Sequence, residues 1–240
     1  MPRQRPRTAI EADERTLRGV AAFHDLPADV RTRLENRCNW FRFEPHAVIV
    51  GYQDQSRDVF FVTRGLVRAV IYSVSGTVVA FRDIGPGQMF GEFAAIDGQA
   101  RSSSIEAVEP CTIAQMTSHA FWELILSEPA VTKAVLLHLI RLIRSLSTRV
   151  YEFSTLTVQN RIHAELLRLA REHSASSKSV RIPKLPTHAE IASRISTHRE
   201  AVSRELARLA KLGIVERRSG ALFIPDIERL ARMVEQATGD

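Results

Sequence analysis

The sequence predicts an α+β protein: an N-terminal β-barrel domain of the jelly-roll type, a long helix and a C-terminal winged helix-turn-helix domain. Three observations predict it. Between Phe41 and Met116 short apolar runs alternate with turn residues. From Glu128 onward a heptad spacing runs without glycine for about thirty residues. From Thr187 two capping motifs ten residues apart mark a short helix and a longer one, followed by a hairpin.

The size and charge of the chain agree with this division. With 240 residues, 45% of them hydrophobic, it can bury the cores of two ordinary domains. The formal net charge is +6 and it is unevenly spread. Residues 157–240 hold 15 Lys and Arg against 10 Asp and Glu, whereas the remainder holds 18 against 17. That asymmetry directs the C-terminal third toward a polyanion. Cys38 and Cys111 stand far apart without a CxxC spacing, which excludes a disulfide framework and favours a reducing, cytoplasmic setting. The opening "MPRQRPRTAI" is basic but leads into "EADERTLRGV" rather than an apolar core, so no secretory signal is expected. No run of eighteen apolar residues exists, so no membrane span is expected either.

In chain order, residues 1–16 are Arg-rich and Pro-punctuated and read as a disordered basic tail. The first folded domain is expected over 17–127. It opens with "LPADVRTRLENRCNWF", an amphipathic helix with Val30, Leu34 and Cys38 on one face. The runs "AVIV", "DVFFVTRG", "LVRAVIYS", "VSGTVVAF", "SSIEAVE" and "CTIAQM" follow, with "SG" and "GPG" turns among them. Their spacing of roughly eight to twelve residues suits a closed sandwich or jelly-roll barrel able to hold one small ligand.

Residues 128–156 are expected to form one helix. Leu136, Leu139, Ile143, Leu146, Val150, Phe153 and Thr157 recur at alternating steps of three and four, a heptad seam. About thirty helical residues span roughly 45 Å, more than one small domain needs, so a homodimer formed through this helix is expected. The second domain is expected over 157–240, from the amphipathic "VQNRIHAELLRLAREH" through the Ser-rich "SASSKS" to the helix pair.

In "THAEIASRISTHREAVSRELARLAKL" the motifs are Thr187 with Glu190 and Thr197 with Glu200, each a candidate capping box. Ile191, Ile195, Val202, Leu206 and Leu209 supply the core between the helices, with the small Ala192 where they cross. His198, Arg199, Ser203 and Arg204 are then free to face outward. Arg199 and Arg204 carry the planar donor fork that matches guanine O6 and N7 in the major groove. Glu200 could accept from a cytosine amino group or simply close its cap. His188 and Thr197 complete the candidate DNA-binding set on the helices. "GIVERRSGALFIP" reads as a wing whose Arg217 and Arg218 contact phosphates.

"FGEFAAIDGQARSSSIEA", within the barrel region, resembles the phosphate-binding cassette of cyclic-nucleotide domains. With the long helix and the winged helix-turn-helix in the same order, the sequence resembles the Crp/Fnr superfamily of bacterial transcription regulators from about Leu17 to Met233. The resemblance implies a cAMP- or cGMP-controlled regulator that binds double-stranded DNA at TGTGA-like palindromes and contacts RNA polymerase. It implies that Arg101 pairs with the cyclic phosphate and Glu92 accepts the ribose 2′-hydroxyl. Gly91, Phe93, Ala94, Ser102 and Ser103 line the cradle, and Ser147 and Thr148 of the long helix meet the base. It also raises Glu200 as a base contact. A carboxylate suits a hydroxyl but repels a phosphate, so these roles agree with the chemistry of the side chains. The alternative for the pair is a plain Glu92–Arg101 salt bridge. Leu146 stands at or beside a position that is often polar in cAMP-responsive relatives, which leaves the choice of base open.

An oxygen-sensing cluster needs four cysteines and the chain has two; haem and metal sites find no HxH or HxxxH pair, and His138 stands alone on the long helix. No metal, haem or iron-sulfur cofactor is therefore expected, and no catalytic triad or metal constellation supports an enzyme. A regulator with a vestigial pocket, binding DNA constitutively or answering another effector, is the alternative to the nucleotide-controlled one. One departure is Ser196, where many helix-turn-helix units carry Gly in the turn; if its φ is positive, the serine costs about 1 kcal/mol.

Overall fold

The computed structural model describes residues 10–11, 14–73, 78–173, 178–183, 185–218 and 220–238. Most of the basic tail, the "SG" at 75–76, residues 174–177 of the Ser-rich loop and Ser219 of the wing turn lie outside the described residues. The chain forms two compact units, 1–142 and 143–240.

In the first unit α1 (Ala28–Arg37) precedes β1 (Asn39–Phe43), β2 (Val48–Val50), β3 (Val59–Arg64), β4 (Val67–Tyr72), β5 (Val78–Ile84) and β6 (Met89–Phe90). Then come α2 (Glu92–Asp97), β7 (Ser104–Ala107), β8 (Cys111–Met116) and α3 (Ser118–Ser127). The described strands pair into two antiparallel sheets, β1-β8-β3-β6 and β2-β7-β4-β5. No described strand hydrogen-bonds across from one sheet to the other, so the jelly-roll is an open sandwich and not the closed barrel that the even strand spacing suggested. Closure needs a continuous ladder, and β2 and β6, with three and two residues, are too short to extend one.

The strand period decides which side chains meet. Phe60 and Val62 of β3 point between the sheets, where they join Val67, Ile84, Phe90, Ile105 and Ile113. The alternate residues Val59 and Phe61 point the other way, into a second core with Leu34, Phe121 and Val131. Every residue of β8 is buried because both of its faces are covered.

The long helix α4 (Pro129–Thr155) has 27 residues. Val131 and Val135 anchor its first turns in the core of the first unit, with Leu139 half-buried against the same cluster. Leu139 therefore belongs to its own chain's core rather than to the expected seam, and Thr157 lies beyond the helix end. The apolar stripe is carried instead by Leu136, Ile140, Ile143, Leu146 and Val150, all exposed, with Ile143 at 63% and Val150 at 64%.

In the second unit α5 (Val158–His173), β9 (Val180–Ile182), α6 (His188–Arg194), α7 (Arg199–Lys211), β10 (Glu216–Arg218), β11 (Ala221–Ile224) and α8 (Ile227–Thr238) enclose one core. Ile191, Ile195, Val202, Leu206 and Leu209 meet Ile162, Leu166, Leu222 and Leu230 there. The wing has three described strands in the order β10-β11-β9. Glu152 near the end of α4 accepts from Arg168 of α5 at 2.8 Å, and Arg194 of α6 reaches the fully buried Glu165 at 3.0 Å. These contacts fix the last turns of α4 on the winged helix.

Candidate nucleotide and DNA sites

The cassette is built around a left-handed glycine. Gly91 has φ +84° and joins β6 to α2, and a Cβ there would come within 2.6 Å of Arg101 Nη1 and 2.7 Å of the Asp58 carbonyl oxygen. The missing side chain is what lets the Arg101 guanidinium lie under the turn. Arg101 is 3% exposed. Its Nη1 donates to Gly91 O at 2.8 Å, Nη2 to Asp58 O at 2.7 Å and Nε to Ser56 Oγ at 3.2 Å, with the guanidinium carbon 5.6 Å from the centre of the Phe60 ring.

Glu92 is equally buried, at 3%, and is held separately. Its Oε1 lies 3.1 Å from His138 Nε2 of α4 and 3.7 Å from Arg82 Nη2 of β5, and Arg82 also donates to Met89 O at 3.1 Å. Burial pushes the Arg82 guanidinium below its ordinary value, and attraction to Glu92 opposes that. The simple Glu92–Arg101 bridge left open by the sequence is not formed: the acid at the start of α2 and the base beyond its end belong to two hydrogen-bond systems. Of the other cassette residues, Phe93 and Ser102 are exposed, Ser103 is half-buried and Ala94 is buried.

Sequence reasoning missed both partners of Glu92. His138 is 46 residues away and had no local companion, so nothing in the sequence linked the two. Arg82 did leave a signal, a cation within the apolar strand "VVAFRDI". On α4, the Ser147 hydroxyl donates to Ile143 O and the Thr148 hydroxyl to Arg144 O, both at 3.0 Å. Among the described residues no three His, Cys, Asp or Glu side chains gather as a metal site. No described helix is long and apolar enough to cross a membrane.

The second site lies on α6, α7 and the wing. The Thr187–Glu190 capping box forms in both directions and starts α6 at His188. The turn then closes through Thr197 N–H to Ala192 O at 3.0 Å, with Ser196 left-handed at φ +51°. The Thr197–Glu200 box does not form. Thr197 belongs to the turn, His198 is the N-cap in extended conformation without a side-chain cap bond, and α7 begins at Arg199. That leaves His198, Arg199 and Glu200 exposed at the start of α7, with Arg204 exposed one turn further on.

Three residues predicted to touch DNA are joined to one another. His188 Nδ1 lies 2.7 Å from Ser203 Oγ, and its Nε2 lies 2.8 Å from Arg217 Nη2 in β10. Burial, with Arg217 and Arg199 nearby, holds the His188 imidazole below its usual range. Arg218 is tied back to the wing, with its Nε 2.8 Å from Glu216 and its guanidinium 4.3 Å from the Phe223 ring centre.

A jelly-roll with a Gly–Glu turn over a buried arginine, followed in the chain by a long helix and a winged helix-turn-helix, defines a class of transcription regulators with a ligand domain and a DNA-reading domain. Residues 40–128 match the cyclic nucleotide-binding domain family, and residues 160–233 match the Crp-like helix-turn-helix domain family. The chain is 29% identical over 227 residues to the cyclic AMP receptor protein of Thermus thermophilus, covering 93% of this chain and 99% of that one. It is 29% identical over 150 residues to a CRP-like cAMP-activated global transcriptional regulator of Mycobacterium tuberculosis, covering 62% and 67%. Among solved structures, a CooA variant from Carboxydothermus hydrogenoformans superposes with a TM-score of 0.74 at 20% identity, covering 83% of this chain and 88% of that one. A Crp-family regulator, TTHB099 of Thermus thermophilus, gives 0.65 at 26%, covering 80% and 95%. The chain belongs to the Crp/Fnr family of transcription regulators.

Proposed function

We propose that the protein is a homodimeric regulator whose affinity for TGTGA-like palindromic DNA rises when a cyclic nucleotide, cAMP before cGMP, fills the jelly-roll. In this reading residues 17–127 bind the effector, 128–156 form the dimer helix and 157–240 bind DNA. The protein works in the cytoplasm and contacts RNA polymerase at its promoters. The observation that carries the reading is the separation of Glu92 from Arg101 within one cassette, both buried and each in its own hydrogen-bond system. A cyclic nucleotide presents a hydroxyl and an anion a few ångströms apart, and the two side chains match those groups in kind. Gly91, Phe93, Ala94, Ser102 and Ser103 are assigned to the cradle and Ser147 and Thr148 to the base.

The exposed apolar stripe of α4 supports the dimer, since such a surface requires cover. Arg199, Glu200 and Arg204 are assigned to base edges, with Arg217 and Arg218 on phosphates. Coupling between the sites is a free energy of roughly 1–3 kcal/mol. Calorimetric titration with cAMP and with cGMP, together with fluorescence anisotropy on a palindrome whose half-sites lie one helical turn apart, tests the whole reading. Nucleotide should give heat and tighten DNA binding, and Arg101→Ala should abolish both effects. No heat from either nucleotide, with DNA binding unchanged by Arg101→Ala, overturns it. Arg199→Ala should cost about 1–3 kcal/mol of preference for the palindrome over random DNA; an equal loss on both would make Arg199 a phosphate contact.

A second reading rests on the contacts of Glu92 with His138 and Arg82 and on Leu146 in the long helix. In it the pocket is vestigial and DNA binding is constitutive or answers another effector. DNA affinity independent of both nucleotides is its signature.

A further inference from the structure

We propose that His188 is the positioning residue of the DNA-reading surface: a neutral imidazole, protonated on Nδ1, that joins Ser203 of α7 to Arg217 of the wing and fixes the spacing between them. The proposal rests on the DNA-binding reading above and adds a role for one residue within it.

A guanidinium has only donors, so at 2.8 Å Arg217 Nη2 donates to His188 and Nε2 must accept. The ring proton therefore sits on Nδ1, which donates to Ser203 Oγ at 2.7 Å. Ser203 then accepts from the histidine and keeps its own O–H to donate to a nucleic-acid acceptor. One imidazole thus sets the tautomer, the orientation of a recognition-helix hydroxyl and the place of a wing cation. Arg217 is exposed and stands on a short strand, so without that contact its long side chain would sample many rotamers. Holding it in one place lowers the entropy lost when it meets a phosphate.

Only the neutral ring can do this. The groups facing His188 are Arg199 and Ser203 from α7 and Arg217 from β10; on its own helix Glu190 is engaged by the backbone N–H and hydroxyl of Thr187, and on the wing Glu216 pairs with Arg218. Protonation removes the acceptor at Nε2 and places a new cation beside Arg199 and Arg217. Arg217 then leaves its position. The added charge strengthens binding to any DNA. On the palindrome the base contacts of α7 set one register in which a fixed Arg217 meets its phosphate, whereas random DNA sets no register and a mobile cation binds it as well, so the loss appears in the preference for the palindrome over random DNA.

The test uses the full-length protein with excess cAMP, a TGTGA palindrome and a random duplex of equal length. At pH 8, His188→Ala and Arg217→Ala should each weaken palindrome binding about tenfold, and the double variant should lose about tenfold rather than a hundredfold, because the two act as one unit. His188→Gln, whose amide can accept from Arg217 and donate to Ser203, should bind within about threefold of wild type. As the pH falls from 8 through the His188 titration, located by NMR of the same protein, the palindrome preference should fall several-fold for wild type and stay level for His188→Gln. Nitrogen NMR of the free protein should show His188 protonated on Nδ1, a readout independent of DNA. An additive double variant, a His188→Gln profile identical to wild type, or a ring protonated on Nε2 overturns the proposal. Wild type that binds neither duplex overturns the DNA-binding reading itself, and is distinguishable from all three.

Discussion

Replacing Gly91 by alanine should disable the cassette, and the size of the effect can be worked out from its surroundings. The residue has φ +84°, which costs an L side chain about 1 kcal/mol. The new Cβ would also stand 2.6 Å from Arg101 Nη1 and 2.7 Å from Asp58 O, distances that force the guanidinium or the backbone to shift. Displacing Arg101 breaks hydrogen bonds to Gly91 O and Asp58 O, each worth about 1.5–3 kcal/mol for a charged donor. With both bonds lost, the expected total is about 4–7 kcal/mol. Gly98→Ala is the internal control: its φ is +72°, but its nearest neighbours are Arg57 atoms at 3.8 Å, an ordinary contact, so only the strain of about 1 kcal/mol applies. Both tryptophans of the chain, Trp40 and Trp122, lie in the first unit. Urea unfolding followed by their fluorescence should show a midpoint drop for Gly91→Ala at least about four times that for Gly98→Ala. Equal drops, with cAMP heat retained in Gly91→Ala, would refute the idea that this glycine exists to admit the guanidinium.

Ser196→Gly should stabilise the second unit by about 1 kcal/mol by relieving the φ of +51°, raising its calorimetric transition by roughly 4–8 °C; no rise would remove the strain argument. Burial pushes the thiols of Cys38 and Cys111 up to about 12, so Ellman's reagent at pH 8 should label the native protein slowly and the urea-unfolded protein at once. Because the folded state lowers the His188 value, the unfolded ring binds a proton more readily. The stability it contributes is present above about pH 6.5 and is lost as the pH falls through the folded value, a component that His188→Gln should remove from urea curves. Burial raises the Glu205 carboxyl, yet hydrogen bonds from Arg208 and His163 outweigh it and hold the group below 4.5. Its contribution is present above that value and disappears in stronger acid, and Glu205→Gln should flatten that part of the profile.

The sequence made the architecture legible wherever one period ran long enough. The strands carried their turns with them, α4 its heptads, and Ile191, Ile195, Val202, Leu206 and Leu209 the core of the second unit. β9 escaped because three residues cannot display an alternation. α8 escaped although its signal was present, since Ile227, Leu230, Ala231 and Val234 recur at helical spacing. The Thr197–Glu200 box failed for a tertiary reason. Ile195 is drawn into the core and Ser196 turns left-handed, so Thr197 N–H closes the turn and the helix starts one residue later. Local spacing can identify a candidate cap, but packing decides which of several neighbouring polar residues becomes the N-cap.

The same limit applies at the cassette, and there it has a chemical consequence. A carboxylate 3% exposed must have partners, and the nearest base in the sequence motif was Arg101. Had the two paired, a ligand would first have to break a buried ion pair, and separating such a pair costs about 3–5 kcal/mol. His138 and Arg82 take the acid instead, from α4 and β5, while Arg101 donates to backbone carbonyls and a serine hydroxyl. An anion that approaches Arg101 would be a charged acceptor, and hydrogen bonds to a charged acceptor are roughly twice as strong as those to a neutral one. A ribose hydroxyl that approaches Glu92 competes with the imidazole of the long helix. On the reading proposed above, a ribose hydroxyl and the imidazole of α4 would share one carboxylate, Glu92, which gives a chemical route from ligand to helix.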